Sequence, residues 1–208
     1  MNIHTEPSAD GIVRVTTDDG IPLPRHRFSV DDCFRMVETG VLASDYRFEL
    51  LDGEIVPMSP KGAAHLIVQV ALQNAWGRRR PDEVLIATEP TVRVGSDAFV
   101  EPDLFIWPAR KSIADVALSD AVLIVEIAAT SLTIDLGRKA QIYAAAGVPE
   151  YWVIDADRLE VHIHREPTGD RFASLITVAA SETLTPSTVP ALAVSLAELE
   201  LPSADEKE

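Results

Sequence analysis

Between residues 63 and 79 apolar side chains recur every three or four positions, at Ala64, Ile67, Val68, Ala71, Leu72 and Ala75. That period predicts an amphipathic helix from about Ala63 to Arg79. A second, polar stripe runs along the same helix in steps of four: His65, Gln69 and Gln73. A shorter helix is expected from Ser29, an N-cap residue followed by Asp31 and Asp32 in the first turn, to Gly40. A third is expected from Ile134 to Ala146, stopped by Gly147 with Pro149 beyond it.

The remaining pattern is that of strands. Tyr46–Leu51 and Glu54–Met58 flank Asp52-Gly53, a tight-turn dipeptide, and predict a hairpin that Pro60 and Gly62 end. Val84–Val94 and Phe99–Trp107 are expected as two strands joined at Gly95-Ser96-Asp97. Ala121–Ile127 is apolar almost throughout, as a central strand covered on both faces would be. Tyr151–Ile154 and Leu159–His164 predict a second hairpin about Asp155-Ala156-Asp157, with Phe172–Val178 as an edge strand. Residues 1–24 carry no sustained period and read as a flexible arm, and residues 201–208 as a disordered acidic tail. The order of elements over residues 25–200 predicts a single domain of the α/β class, a mixed sheet with helices packed on it.

Composition narrows the function. The 33 acidic and 18 basic residues give a formal net charge of −15. Such a chain is a poor non-specific binder of nucleic acid, and a nucleic-acid role requires a local basic patch or bound cations. The single cysteine, Cys33, excludes an intramolecular disulfide and reads as a buried thiol, which fits a cytoplasmic location. The first twenty residues are polar and acidic, unlike a signal peptide, and no apolar run is long enough to span a bilayer, so no membrane partner is expected. There is no Walker-type glycine loop, no G-x-G-x-x-G, no H-E-x-x-H and no G-x-S-x-G.

Two carboxylates stand where ionisation is costly. Glu126 lies between Val122-Leu123-Ile124-Val125 and Ile127, and a charge there requires a partner or a metal. Asp103 lies in Val100-Glu101-Pro102-Asp103-Leu104-Phe105-Ile106, where alternation turns it away from the more uniformly apolar side. Two acids on neighbouring strands can converge on a hard cation such as magnesium, which needs few protein oxygens. Lys139, thirteen residues after Glu126, could orient an attacking water, while its spacing from Asp135 also suits an ordinary surface helix pair. Glu49 and Glu54 flank the Asp52-Gly53 turn, as a third acidic ligand or as the solvent face of a hairpin. His65 is a candidate ligand or proton carrier, or a polar helix residue. His162 and His164 share a face of a strand and read as exposed. Arg78-Arg79-Arg80 complements the helix dipole at a C-terminus, and could also touch a phosphate backbone.

Taken together, several segments resemble the Uma-type family of the PD-(D/E)XK nuclease superfamily. They are Phe48-Glu49-Leu50-Leu51-Asp52-Gly53-Glu54-Ile55-Val56-Pro57-Met58-Ser59-Pro60, then His65, Glu101-Pro102-Asp103-Leu104, Val125-Glu126-Ile127, Asp135-Leu136 with Lys139 and Tyr143, and Gly147-Val148-Pro149-Glu150-Tyr151-Trp152-Val153-Ile154-Asp155. The resemblance spans about residues 29–165 and implies a restriction-endonuclease-like core, a central four-stranded mixed sheet flanked by helices. It puts Asp103 in the place of the PD aspartate and Glu126 in that of the next acid, both as magnesium ligands with manganese as a substitute. Ala128 stands where the superfamily lysine would follow, and the resemblance assigns that role to Lys139. Glu49 matches the early family glutamate and His65 the helix histidine, with Glu54, Gln69 and Tyr143 as supporting candidates. After the acid the family reads close to E-V-L-S-P-S, and this chain has Thr130 in the place of the proline.

The expected activity is magnesium-dependent hydrolysis of DNA phosphodiester bonds by a homodimer, with DNA implied by the superfamily and not by the charge. Two other readings stay open: a binding protein of the same fold that no longer cleaves, and a metal-dependent hydrolase of a smaller phosphate ester.

Overall fold

The computed structural model describes residues 12–16 and 22–199. The acidic tail and most of the N-terminal arm lie outside the described residues. Within the arm, β1 (Ile12–Thr16) and β2 (Pro22–His26) pair antiparallel, with Arg14 opposite Pro24. A proline is compatible with such a ribbon because one side of each strand needs no donor. The described residues group into two compact units, one within residues 1–58 and 93–100, the other within residues 59–92 and 101–208.

In the first unit, α1 (Val30–Glu38) starts as expected. Ser29 Oγ accepts from the Asp32 backbone N–H, and Asp32 accepts in return from the Ser29 N–H, a reciprocal capping box. The predicted hairpin forms as β3 (Phe48–Leu51) and β4 (Glu54–Pro57), with Glu49 opposite Val56. Asp52 and Gly53 both take positive φ, 52° and 73°, as a two-residue hairpin turn of this hand requires. Val30, Cys33, Phe48, Leu50 and Phe99 form the core. Burial is the main reason the Cys33 thiol is pushed above its ordinary range, in keeping with an inert structural residue.

The second unit is built on a six-stranded mixed sheet in the order Arg171–Ala179, Glu160–Thr168, Glu150–Asp155, Leu123–Ala128, Leu104–Pro108, Val84–Thr88. We number these strands in chain order after β4. They are β5 (Val84–Thr88), β6 (Val92–Arg93), β7 (Phe99–Val100), β8 (Leu104–Pro108), β9 (Leu123–Ala128), β10 (Glu150–Asp155), β11 (Glu160–Thr168) and β12 (Arg171–Ala179). The short β6 and β7 belong to a separate four-stranded sheet with β3 and β4. The two long strands predicted over 84–107 are thus each interrupted, at Glu89-Pro90 and at Glu101-Pro102. Proline removes a ladder donor at both places, and Glu89 adopts a left-handed φ of 50°. The resemblance implies four central strands. The sheet has six, because the hairpin β11–β12 extends it with β12 at the edge, as the sequence predicts.

β9 is central and buried at every residue. It pairs antiparallel with β8 and parallel with β10. A parallel pair needs a crossover, here α3 (Leu132–Ile134), a π-helical turn (Asp135–Lys139) and α4 (Ala140–Ala145) running on as one helical stretch. The other large helix, α2, spans Ala63–Arg79 as the apolar period predicts. The two helices cover opposite faces. Trp152 meets Trp76 of α2 with ring centroids 6.1 Å apart, and its neighbour Tyr151, pointing the other way, meets Tyr143 of α4 at 4.7 Å. The main core lies on the α2 side, where Val68, Leu72 and Trp76 pack on Leu104, Ile106, Val125, Ile127 and Ile154, joined by Leu184, Leu192 and Leu196 from the C-terminal segment. No helix among the described residues is long and apolar enough to cross a membrane.

Candidate active site

β8 and β9 run antiparallel with Leu104 opposite Val125. One step beyond that last ladder pair, residue 103 faces residue 126. Asp103 lies just ahead of its strand, and its carboxylate Oδ2 accepts the backbone N–H of Ile127 at 2.7 Å. Asp103 is thereby fixed to the residue next to Glu126, and the two acids are 5% and 3% exposed.

Each carboxylate has its own cation, Lys139 from the helical crossover and Lys61 from the segment just ahead of α2. On one side Lys139 Nζ lies 3.1 Å from Glu126 Oε1, and the Tyr143 hydroxyl donates to the same oxygen at 2.6 Å. Lys139 is also 3.6 Å from Asp135 Oδ1, and Asp135 is held by the Ser131 hydroxyl at 2.5 Å. Lys139 and Asp135 are buried, so the surface-pair reading of their spacing does not hold. Lys139 closes the π-helical turn, an irregularity that re-aims side chains within a helix and recurs at functional sites.

On the other side Asp103 Oδ1 meets Lys61 Nζ at 2.5 Å and His65 Nε2 at 3.1 Å. Lys61 also reaches Glu89 Oε1 at 2.7 Å, and Gln69 donates to that same oxygen at 3.1 Å. Burial works to raise the Asp103 pKa, but the hydrogen bond and charge of His65 and the charge and hydrogen bond of Lys61 outweigh it and hold the carboxyl below its ordinary range. Asp103 is therefore ionised at neutral pH.

Lys61 and Glu89 were not singled out from the sequence. A signal for Lys61 exists: it stands four residues ahead of His65 and extends the stripe His65, Gln69, Gln73. That stripe faces the end of β5, where Gln73 donates to the Thr88 hydroxyl at 2.9 Å and Gln69 reaches Glu89. Two of its members, His65 and Gln69, are buried, so the stripe is an inward polar face and not the solvent side of the helix.

Other expected residues fall elsewhere. Glu49 is 3% exposed on β3 of the first unit, where all four strand residues are buried, and Glu54 is exposed on β4 of that unit. The expectation that His164 is exposed is corrected. It is buried between Tyr151 and Phe172, with ring centroids at 5.3 and 5.5 Å, because the aromatic side chains cover that face of the edge hairpin. His162 pairs with Thr177 across the hairpin at 3.0 Å. Of the arginines, Arg79 donates to Ala193 O at 3.0 Å and Arg80 to Pro81 O and Val84 O near the end of α2.

The donor set suits a hard divalent ion. Glu89 and Asp103 already direct one oxygen each at a single cationic nitrogen, and both are carboxylates, the ligand class magnesium prefers. Among the described residues no three Asp, Glu, His or Cys side chains are gathered closely enough to hold a metal. Magnesium does not require three, since it commonly keeps its waters and binds through one or two carboxylates plus substrate phosphate.

A search of curated proteins returns no match. Among solved structures, the chain is similar to one titled "Crystal structure of a putative nuclease belonging to DUF820" from Anabaena variabilis ATCC 29413, with a TM-score of 0.63 and 16% identity over 82% of this chain and 96% of that one. That likeness shows a shared restriction-endonuclease-like fold. The profile of the Uma2 family, described as "Putative restriction endonuclease", matches residues 31–198, the stretch that carries every site residue named above, and the chain belongs to that family.

Proposed function

We propose that this protein is a magnesium-dependent endonuclease hydrolysing DNA phosphodiester bonds, with Asp103 and Glu126 as metal-holding carboxylates and Lys139 as the lysine of the site. The observation that carries the reading is the burial of Asp103, Glu126 and Lys139 at one end of the β8–β9 pair. Burying titratable groups together is costly, and such groups cluster where charge develops in a reaction.

A bound magnesium would supply an acidified water and neutralise charge on the phosphate. The chain's own residues do the rest. Tyr143 fixes Glu126 Oε1 and keeps it in one rotamer. Lys139, already at hydrogen-bond distance from that oxygen, donates toward the attacking water or a phosphate oxygen. His65 and the Ile127 N–H hold the Asp103 carboxylate in place. The working form would be a homodimer. The requirement for a divalent cation also suits a chain with net charge −15, because the metal offsets repulsion between acidic protein and phosphate.

The test is cleavage of single-stranded, duplex and branched DNA with magnesium or manganese, using Asp103→Ala and Lys139→Ala beside wild type. Metal-dependent cleavage lost in both variants is expected. Cleavage indifferent to both changes would refute the assignment. Metal-independent DNA binding without cleavage would instead favour the non-cleaving reading, for which the net charge and Thr130 in the family's proline position speak.

A further inference from the structure

We infer that Lys61 is a built-in counter-cation of the metal site, which a divalent ion must displace to enter; the inference rests on the reading of Asp103 as a metal ligand. Lys61 Nζ sits between Asp103 Oδ1 at 2.5 Å and Glu89 Oε1 at 2.7 Å, and its side chain is only 13% exposed. Without a cation there, two carboxylates that converge on one point repel each other, at an energy that grows as water is excluded. A single ammonium satisfies both, so it occupies the position where a hard divalent ion finds the same two oxygens.

The backbone around Lys61 lets it leave. Residue 61 lies between Pro60 and Gly62, ahead of α2, whose N-cap Gly62 has no side-chain cap bond to lose. A four-carbon stem on irregular backbone can swing outward without unwinding the helix. Lys139 differs, since it is 5% exposed inside a continuous helical stretch and has no such freedom. The two lysines thus divide the work: Lys139 stays with Glu126, while Lys61 bridges Glu89 and Asp103 until metal arrives. Glu89 thereby becomes a second oxygen donor on the Asp103 side, a role not evident in the sequence.

A cation that must be expelled weakens apparent metal affinity by the fraction of molecules in which it has already left. Calorimetric titration of manganese into wild type and Lys61→Met should therefore show a dissociation constant at least about tenfold lower in the variant. The metal-free variant should melt below wild type and recover more on adding manganese. Equal or weaker binding by Lys61→Met would overturn the inference while leaving the metal site standing. No binding by wild type, Lys61→Met or Asp103→Ala would instead bring down the metal reading itself. Should the variant fail to fold, the wild-type protein answers the same question. The ¹⁵N signal of the Lys61 ammonium, protected by its two carboxylates, should exchange-broaden or move to the free-lysine position as magnesium saturates the site. A signal that stays in place at saturation refutes displacement.

Discussion

Lys139 Nζ lies 3.1 Å from Glu126 Oε1 with both side chains less than a tenth exposed, and the two residues are thirteen apart in the chain. The pair ties the helical crossover to the strand that precedes it. Lys139→Met removes the charge while keeping most of the volume, and leaves the carboxylates of Glu126 and Asp135 without their ammonium. Breaking a buried pair from one side costs about 3–5 kcal/mol. Urea denaturation should show that loss, and Glu126→Gln combined with Lys139→Met should restore a good part of it. Strictly additive losses would mean that the two groups do not interact.

What the sequence revealed and what it concealed follow from distance along the chain. α2 was legible to the residue because its period repeats over seventeen residues. Glu126 stood out because every neighbour is apolar. Lys61 did not, since its partners lie 28 and 42 residues away and a lysine beside Pro60 and Gly62 reads as a loop residue. Glu89 falls within an apolar run that predicts a strand, yet the strand ends at residue 88 because Pro90 cannot donate to the ladder. His164 shows the same weakness: alternation correctly put it on the face of His162, but only the fold brings Tyr151 and Phe172 over it.

The turn at Gly53 offers a test of backbone strain with an internal control. Gly53 and Gly40 both have positive φ, 73° and 75°. A Cβ at Gly40 would meet nothing within 4 Å, whereas at Gly53 it would lie 2.6 Å from Arg27 Cβ and 3.1 Å from Arg27 Cα. Gly40→Ala should therefore cost only the left-handed strain, about 1 kcal/mol. Gly53→Ala should cost clearly more, because the segment at Arg27 must shift, and with it the bond from Phe28 N–H to Gly53 O. Equal losses in thermal unfolding of the two variants would contradict the close approach.

Glu150 is fully buried yet has partners on both oxygens. Oε1 accepts from Trp152 Nε1 at 2.7 Å and from Arg165 at 2.8 Å, while Oε2 accepts the Ser187 N–H at 2.6 Å and the Ser187 hydroxyl. One carboxylate thus clamps β10, β11 and the segment before the C-terminal core. Glu150→Ala should lose about 3–5 kcal/mol, as expected when a buried charge network loses its centre. Because Trp152 loses its indole partner, near-ultraviolet circular dichroism of the folded variant should change as well. A loss below about 1 kcal/mol, the level of an exposed ion pair, would rule out the clamp.

His164 should leave a signature in the pH dependence of stability. Burial is the main cause that pushes its imidazole below the ordinary value of 6.5, so the folded protein keeps it neutral where the unfolded chain takes up a proton. Wherever the unfolded state binds more protons, stability rises with pH. The contribution of His164 is therefore constant above about pH 7 and turns unfavourable as the pH falls through 6.5 toward the lower, folded value. His164→Phe keeps a ring between Tyr151 and Phe172 but removes the titration. Subtracting the unfolding free energy of the variant from that of wild type cancels the other titrating groups. The difference should be flat above pH 7 and grow more negative from pH 7 to 5. A difference independent of pH across that window would show that His164 protonates equally in both states, which its enclosure by two aromatic rings does not permit.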